Sequence, residues 1–429
     1  MIQEVNETQL ELFESSKKKK DNSMTFIGNM KLPIHRWFRY SAGFSGAWVR
    51  ELIEEKKAKR VIDPFAGSGT VMIESDFAGI ESFGVDSHPF VNRIGNAKLF
   101  WKENPQEFKK ASNKLLEMAS KIKINQNEYP ALITKCYPPK IIIKLTALKE
   151  AWQKSKEPKP IKELLWFLIT SILRKTSPVG TASWQYVLPN KSKSKVIDPF
   201  IAFQTKAYEM VKDMTAMQKK YPDFGNAKIL IEDAREMNSI PNKWADLIIT
   251  SPPYANNYDY GDATRLEMTF WGEIEGYGDL QELVRKNLIV SCTQHATKIR
   301  KEIEAYVNST EIKPIYNELK PIYDTLSEVR LTKGGKKNYQ LMVLAYFHDL
   351  AQVFKELRKK TKKGAEMCFV IGDSAPYGVY LPVDRWLGEL AVANGFKSFH
   401  FEKLRDRNTK WKNRKHRVPL KEGRLWIQG

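Results

Sequence analysis

Residues 61–86 read VIDPFAGSGTVMIESDFAGIESFGVD, and this stretch decides the fold. Its first two residues predict a short apolar strand, and DPFAGSGT at 63–70, which we name the glycine loop, predicts a tight turn. A helix is predicted over 71–78, followed by a second strand that Asp86 terminates. Strand, glycine turn, helix, strand and terminal acid form the first half of a doubly wound sheet.

Further strand patterns follow along the chain, at 227–234 (AKILIEDA), 245–254 (ADLIITSPPY), 365–374 (AEMCFVIGDS), 396–404 (FKSFHFEKL) and 424–429 (RLWIQG). Two long stretches between them carry apolar residues at helical spacing. The predicted divisions are a flexible polar tail (1–30), a first sheet part with the glycine loop (31–100), a first helical insertion (101–225), a second sheet part (226–260), a second helical insertion (261–338) and a third sheet part (339–429). The predicted fold class is α/β, a doubly wound, Rossmann-like sheet with two mostly helical insertions.

The charge balance suggests a polyanionic partner. The 429 residues include 70 Lys and Arg against 50 Asp and Glu, a formal net charge of +20. A surplus of this size attracts nucleic acid, because cationic contacts release the counterions of a phosphate backbone. The alternative explanation is a generally lysine-rich proteome. With 42% apolar residues, the chain can also bury the core of a full α/β domain.

The three cysteines, Cys136, Cys292 and Cys368, lie far apart and form no CxxC pair. This pattern predicts neither a disulfide framework nor a metal site, and it fits a reducing cytoplasm. No apolar run of about 18 residues occurs, and the first residues are charged where a signal peptide needs an apolar stretch. We therefore expect a soluble, cytoplasmic protein without a membrane partner.

The glycine loop has the chemistry to hold the amino-acid part of a ligand. It lacks the GK[ST] of a phosphate loop and the third glycine of the dinucleotide fingerprint, so ATP and NAD fit poorly. A methionine moiety fits better, because Asp63 can accept from its ammonium group. The amides of Gly67 and Gly69 and the hydroxyl of Thr70 would face its carboxylate and sulfonium. A lone glycine loop can also be an ordinary turn, and residues 196–200 repeat VIDPF without a glycine, which we interpret as a coincidence.

Two further acids are predicted at the ends of neighbouring strands. Asp86 lies 23 residues after Asp63. An acid at the end of the second strand can accept from both ribose hydroxyls of a nucleoside. Asp233 is predicted to end the next strand, where it can accept from the amino group of an adenine. The three acids would then bind the two ends of one ligand.

A second turn, Ser251-Pro252-Pro253-Tyr254, ends an apolar strand, and we name it the SPPY turn. The two prolines remove backbone donors and stiffen the turn, which leaves carbonyls and the Ser251 hydroxyl to accept hydrogen bonds from an amine. Tyr254 offers an aromatic face on which an extruded base can stack. The alternative is a diproline that only terminates the strand beside a half-buried tyrosine.

The glycine loop, Asp86, Asp233 and the SPPY turn, in this order, resemble the cofactor and catalytic motifs of the amino-group DNA methyltransferases. HRWFRYSAGFSG at 35–46 is similar to an additional cofactor-side motif of that family. The resemblance covers the predicted sheet segments and leaves out both insertions. It implies a Rossmann-like methyltransferase sheet.

The resemblance also implies an S-adenosylmethionine-dependent enzyme that methylates the exocyclic amine of a base flipped out of double-stranded DNA. The implied catalytic residues are those of the SPPY turn. The implied cofactor-binding residues are Asp63, Phe65, Gly67, Gly69, Thr70, Asp86 and Asp233. In that family SPPY is usual for cytosine N4 and DPPY for adenine N6, so Ser251 favours cytosine N4. A cognate restriction endonuclease is an expected partner, and either insertion is a candidate for recognising the target sequence.

Three alternatives stay open at this point. Adenine N6 methylation, or methylation of an RNA base amine, would use the same fold. A catalytically inactive subunit that binds nucleic acid is the third, although it need not retain the glycines, Asp86 and the whole SPPY turn together. Methylation of cytosine at carbon 5 uses a cysteine nucleophile, typically in a Pro-Cys pair, and no cysteine here follows a proline.

A basic segment, RDRNTKWKNRKHR at 405–417, lies between the last two predicted strands. Cations interleaved with a tryptophan are typical of nucleic-acid grooves. The predicted DNA-binding residues are Arg405, Arg407, Lys410, Trp411, Arg414, Lys415 and Arg417. A solvated β-hairpin loop is the alternative interpretation.

Replacing Arg414, Lys415 and Arg417 together by Ala should weaken DNA binding for all sequences, because phosphate contacts release counterions whatever the bases are. The slope of log affinity against log salt concentration should become shallower by about two to three units. Titrations of labelled duplex at several salt concentrations measure this slope. An unchanged slope would exclude the basic segment from the DNA path.

Overall fold

The computed structural model describes residues 28–125, 128–181, 186–193, 196–255, 258–297, 299–301, 303–407 and 418–429. The strands are β1 (Arg60–Asp63), β2 (Glu81–Val85), β3 (Val179–Thr181), β4 (Val187–Ser192), β5 (Asn226–Leu230), β6 (Ala245–Thr250), β7 (Thr361–Gly372), β8 (Ser398–Arg407) and β9 (Leu420–Gln428). The α-helices are α1 (Gly46–Lys56), α2 (Thr70–Phe77), α3 (Pro89–Leu99), α4 (Pro105–Lys121), α5 (Ala131–Cys136), α6 (Pro139–Lys154), α7 (Lys159–Thr176), α8 (Pro199–Lys220), α9 (Arg265–Trp271), α10 (Tyr277–Leu283), α11 (Ile303–Val307), α12 (Tyr316–Val329), α13 (Tyr339–Lys360) and α14 (Val383–Ala393). None of these described helices is long and apolar enough to cross a membrane.

Seven strands form one central sheet in the order β5-β2-β1-β6-β7-β9-β8. The strands from β5 to β7 pair in parallel, and β9 runs antiparallel between β7 and β8. The chain builds the sheet outward from β1 to β5 and then crosses to the other side with β6, so β1 and β6 flank the topological switch point. The predicted fold class, a doubly wound methyltransferase-like sheet with two mostly helical insertions, is confirmed.

The core occupies both faces of the sheet, because residues along each strand alternate between the faces. Leu247 and Ile249 of β6 pack into an apolar cluster with α1, α2 and the helices of the first insertion. Ile248, between them, packs into a second cluster with α12, α13 and α14. Coverage of both faces explains why β6 and the second half of β7 read as continuous apolar runs instead of alternating ones.

Several element ends differ from the sequence prediction. β5 ends at Leu230, so Asp233 lies in the turn after the strand, where its side chain accepts from the Arg235 amide (2.8 Å). β8 continues to Arg407, which places Arg405 and Arg407 in a strand and not in a loop, since pairing with β9 overrides the polar composition of that stretch. The first insertion also contains a small antiparallel sheet, β3–β4, that the sequence pattern did not predict.

The second VIDPF copy starts a helix. Asp198 accepts from the amide of Phe200 (3.0 Å) and thereby caps α8, whose first residue is Pro199. A carboxylate cap followed by proline suffices to begin a helix. The same letters at 61–65 form a strand and a turn, because glycines follow there.

Asp213 on α8 ties the segment before α1 to the first insertion. Its side chain is 3% exposed, and it accepts from the Ile34 amide (3.3 Å), the Trp37 indole (3.0 Å) and the Arg36 guanidinium. Ile34 has a φ of 64°, a conformation that costs energy for a β-branched residue. The Asp213 carboxylate therefore holds a strained backbone next to the 35–46 motif.

Replacing Asp213 by Ala should lower the free energy of unfolding by about 3 kcal/mol, because it leaves buried donors and the Arg36 charge without a partner. Urea unfolding of the purified variant measures this loss. Asp223→Ala, at an exposed position shortly after the same helix, serves as the control and should change stability by less than about 0.5 kcal/mol. Equal stability of the two variants would contradict the anchoring role.

Candidate active site

The two predicted motifs meet at the carboxyl edge of the sheet. β1 and β6 are parallel neighbours, with Ile62 paired to Ile248. Further along the same two strands, the Thr250 hydroxyl donates to Asp63 Oδ1 at 2.6 Å, and both residues are fully buried. The glycine loop and the SPPY turn therefore leave the sheet side by side, at the position where open α/β sheets bind ligands.

A cavity of about 800 Å³, counted with the solvent at its mouth, lies between these two turns. The predicted site residues that line it are Phe65, Gly67, Thr70, Asp86, Asp233, Ser251 and Pro253. Asp63, Gly69, Pro252 and Tyr254 are not part of its lining. The cavity thus joins the motif predicted to bind the cofactor to the motif predicted to bind the base.

The glycine loop adopts backbone conformations that favour glycine. Gly67 has a φ of 52° and Gly69 a φ of 84°. A Cβ at Gly67 would lie 3.1 Å from the Tyr40 ring, so a side chain would also crowd the cavity wall. Gly69 caps α2, which begins at Thr70, so the free amides of the first helical turn follow directly on the glycine loop.

Asp63 is fully buried and Asp86 is half-buried at this edge, and neither carboxyl group pairs with a cationic side chain of the described residues. Asp63 Oδ1 accepts from Thr250 and from the Phe65 amide (3.0 Å), while Oδ2 is buried and has no hydrogen-bond partner among the described residues. Burial raises the pKa of Asp63 to about 7. Asp86 accepts from the amides of Gly67 and His88, both at 2.8 Å, and burial raises its pKa to about 6. Such groups are suited to bind a cation or hydroxyl donors.

The SPPY turn is fixed from behind by the neighbouring strands. The Ser251 hydroxyl donates to the Val370 carbonyl of β7 (3.1 Å), which leaves its oxygen lone pairs able to accept. The guanidinium of Arg407 lies 5.1 Å from the centre of the Tyr254 ring, and burial raises the pKa of this tyrosine above its usual value. Tyr254 is therefore a neutral aromatic surface held by a cation–π contact.

Sequence reasoning missed an aromatic wall of the cavity. Tyr40 and Tyr260 line it, and the Tyr258 ring stands edge-on to Tyr260 at a centroid distance of 4.5 Å. Burial raises the pKa of Tyr260 to about 12, and its hydroxyl accepts from the Tyr254 amide (3.4 Å). The signal available in the sequence was the density of tyrosines directly after the SPPY turn.

The second insertion also contributes to the site, which the strand patterns could not indicate. Asn287, Leu288 and Ile289 line the cavity. Thr264, before α9, is hydrogen-bonded through its hydroxyl to His88 Nε2 (3.0 Å). Burial lowers the pKa of His88 to about 4, so this histidine is neutral at pH 7 and joins the insertion to the glycine-loop side of the site.

Asp233 reaches the cavity, but its carboxylate is already engaged. Arg235 forms an ion pair with it through Nε (2.9 Å) and Nη2 (2.5 Å) and also binds Asp349 (3.0 Å). Asp233 thus stands beside the site as one half of a salt-bridge network. A hydrogen bond from an adenine amine would have to share the carboxylate with Arg235.

The basic segment divides into two parts. Arg405 pairs with Glu422 (2.7 Å), and Arg407 contacts Glu422 (3.4 Å) and the Asp373 carbonyl (2.8 Å) besides Tyr254. Arg407 therefore supports the SPPY turn from within the fold. The other predicted DNA-binding residues, Lys410, Trp411, Arg414, Lys415 and Arg417, lie outside the described residues.

One buried cluster brings together potential metal ligands that the sequence spacing gave no reason to connect. The ligand atoms of Asp259, Cys292 and His295 lie within 4.8 Å of one another. Arg285 donates to Asp259 through Nε (3.0 Å). Burial by itself lowers the pKa of His295, but hydrogen bonds and charge interactions with Asp259 and Cys292 outweigh this effect and raise the pKa to about 9. A protonated histidine and an arginine already neutralise the carboxylate, so the cluster is an internal ion network.

Fold and site together define a class. The chain resembles the amino-group DNA methyltransferases, as its motifs predict, and comparison with known proteins confirms this resemblance. It is 28% identical over 427 residues to the type II methyltransferase M.BsoBI of Geobacillus stearothermophilus, covering 90% of this chain and 82% of that protein. It is 26% identical over 409 residues to the type II methyltransferase M.AvaI of Nostoc sp. (87% and 81%) and 21% identical over 428 residues to the type II methyltransferase M.MvaI of Kocuria varians (93% and 90%). No family model and no solved structure matches the chain.

The buried Asp63 yields a prediction about pH. Its pKa of about 7 in the fold exceeds its ordinary value of 3.8, so between these values the folded protein holds a proton that the unfolded chain has lost. The ligand-free protein should therefore gain stability, relative to Asp63→Asn, by about 2 kcal/mol as pH falls from about 8 to about 5.

Urea unfolding of both proteins across this pH range measures the difference, in which the contributions of titrating groups remote from Asp63 cancel. Asp223→Asn, at an exposed carboxyl, is the control and should run parallel to the wild type. A constant difference between wild type and Asp63→Asn would contradict the burial of a proton-binding Asp63.

Proposed function

We propose that this protein is an S-adenosylmethionine-dependent DNA methyltransferase that methylates the exocyclic N4 amine of cytosine in a flipped base. The observation that carries the proposal is the hydrogen bond between Thr250 and Asp63, which sets the SPPY turn beside the glycine loop across one cavity. The type II methyltransferase relatives, matched over most of their length, support the methyltransferase class.

The residues of the cavity fit S-adenosylmethionine. Asp63 Oδ2, which has no partner among the described residues, is suited to an ammonium group, and Asp63 adjoins Pro64 and Phe65 of the cavity lining. Asp86 keeps acceptor capacity on both carboxylate oxygens for ribose hydroxyls, and the absent side chain at Gly67 leaves room under Tyr40. Phe65, Gly69, Thr70 and Asp233 complete the proposed cofactor-binding set. When bound, this cofactor supplies an electrophilic methyl group on its sulfonium.

The SPPY turn would act on the target amine. The exocyclic nitrogen of cytosine is a weak nucleophile, because its lone pair is delocalised into the ring. Acceptors that hold both of its hydrogens favour the pyramidal form, and the Ser251 oxygen and the carbonyls before the prolines are such acceptors. Tyr254, fixed by Arg407, would stack on the extruded base. These residues position the amine in line with the methyl group.

The choice of cytosine N4 over adenine N6 rests on Ser251, where the adenine enzymes of the family usually carry Asp. The same cavity edge would serve adenine N6 or an RNA base amine. We assign reading of the DNA sequence to the insertions at 101–225 and 261–338, and phosphate contacts to the basic segment. As relatives of this chain are type II methyltransferases, we also propose a cognate restriction endonuclease as its functional partner.

Separate variants test the two halves of the proposed site. Tyr254→Ala should leave S-adenosylmethionine affinity within about twofold of wild type and lower the single-turnover methylation rate about 10- to 100-fold, because only the extruded base uses the ring. Ser251→Ala should lower the same rate about tenfold while DNA still binds through phosphate contacts. Asp86→Ala should instead weaken S-adenosylmethionine affinity, because Asp86 is proposed to bind the ribose of the cofactor.

Tyr254→Phe is the matched control, because it keeps the ring and should keep most of the rate. Calorimetry measures cofactor affinity, and rapid-quench single turnovers measure the chemical step. Wild-type single-turnover rates in both Tyr254→Ala and Ser251→Ala would overturn the role of the SPPY turn. Unchanged cofactor affinity in Asp86→Ala would overturn the ribose assignment.

A further inference from the structure

Lys98 is a buried lysine without a partner among the described residues. It lies in the last turn of α3 and is 1% exposed. Among the residues that the structure describes, no hydrogen-bond acceptor or carboxylate pairs with its ammonium group. Burial and the nearby charge of Lys206 lower its pKa to about 7. An isolated buried charge is costly, and an anion bound beside Lys98 would stabilise its charged form.

Lys98 lines a smaller cavity of about 240 Å³, counted with the solvent at its mouth, that adjoins the proposed cofactor cavity. The two cavities share Tyr40, Gly43, Ser68 and Thr70 in their walls. No described carboxylate lines the smaller cavity. Glu74 is hydrogen-bonded to the lining residue His35 (2.7 Å), but its carboxylate also accepts from Arg50 (2.8 Å). Thr70 also begins α2, whose N-terminal amides favour an anion at the same place.

We propose that Lys98, together with Thr70 and Ser68, forms an anion subsite that binds the α-carboxylate of the cofactor's amino-acid part. This inference rests on the proposed function and deepens it. Asp63, which begins the glycine loop, and Lys98, which shares a cavity wall with Ser68 and Thr70 at the end of that loop, then match the ammonium and the carboxylate of one zwitterion. A buried ammonium group could equally bind free phosphate, which is also a small anion. The experiment therefore distinguishes the cofactor carboxylate from free phosphate.

The experiment compares two nucleosides on the full chain by calorimetry. S-adenosylhomocysteine carries the amino-acid carboxylate, whereas 5′-methylthioadenosine lacks the amino-acid end. Lys98→Met should weaken S-adenosylhomocysteine binding about 10- to 100-fold and leave 5′-methylthioadenosine binding within about twofold. Lys31→Met removes the same charge from an exposed position near the cavity and should change neither affinity.

Thermal unfolding without ligand adds a readout that separates ligand binding from a purely structural role. Loss of a partnerless buried charge should leave the Tm of Lys98→Met equal to or above that of the wild type. A lower ligand-free Tm with undiminished preference for S-adenosylhomocysteine would overturn the inference and leave the proposed function standing. If the wild type binds neither nucleoside, the proposed function fails and the inference fails with it. A third outcome would also overturn the inference: the wild type binds both nucleosides equally well, and inorganic phosphate stabilises the wild type but not Lys98→Met. The subsite would then bind a free anion and not the carboxylate of the cofactor.

Discussion

The hydrogen bond from Thr250 to Asp63 is the interaction on which the arrangement of the site depends. It joins the ends of two neighbouring parallel strands at the switch point of the sheet, in a fully buried setting where neither group can turn to water. Both motifs begin within a residue of this bond. The distance between the glycine loop and the SPPY turn is therefore set by strand pairing, the most rigid geometry that the fold offers.

The site also contains ionisable groups that are withdrawn from water without an oppositely charged partner among the described residues. Asp63 keeps one partnerless oxygen and Lys98 an ammonium without a partner among the described residues, while Asp86 is held by amides alone. Each of these groups lowers the stability of the ligand-free protein, and each would be relieved by a ligand of the matching charge. Elsewhere buried charges are neutralised internally, as in the ion pair of Asp259 with Arg285. Asp63 begins the glycine loop, and Lys98 shares a cavity wall with Ser68 and Thr70 of that loop.

The sequence predicted the sheet, both motifs and seven of the residues that line the cavity, because local patterns encode strands, turns and the acids that follow them. It could not predict contacts that depend on tertiary packing. The roles of Tyr40 and Asn287 in the cavity wall, the bond of Thr264 to His88 and the support of Tyr254 by Arg407 join segments far apart in the chain. Element ends were also missed where pairing decided them, as in the extension of β8 to Arg407.

Transfer of a labelled methyl group from S-adenosylmethionine to unmodified genomic DNA, followed by digestion to nucleosides and mass spectrometry, tests the central claim most directly. The account predicts N4-methyldeoxycytidine. N6-methyldeoxyadenosine would contradict the specificity assigned to Ser251. Absence of any transfer, or 5-methyldeoxycytidine, would contradict the mechanism, because this chain has no Pro-Cys pair to act as a nucleophile.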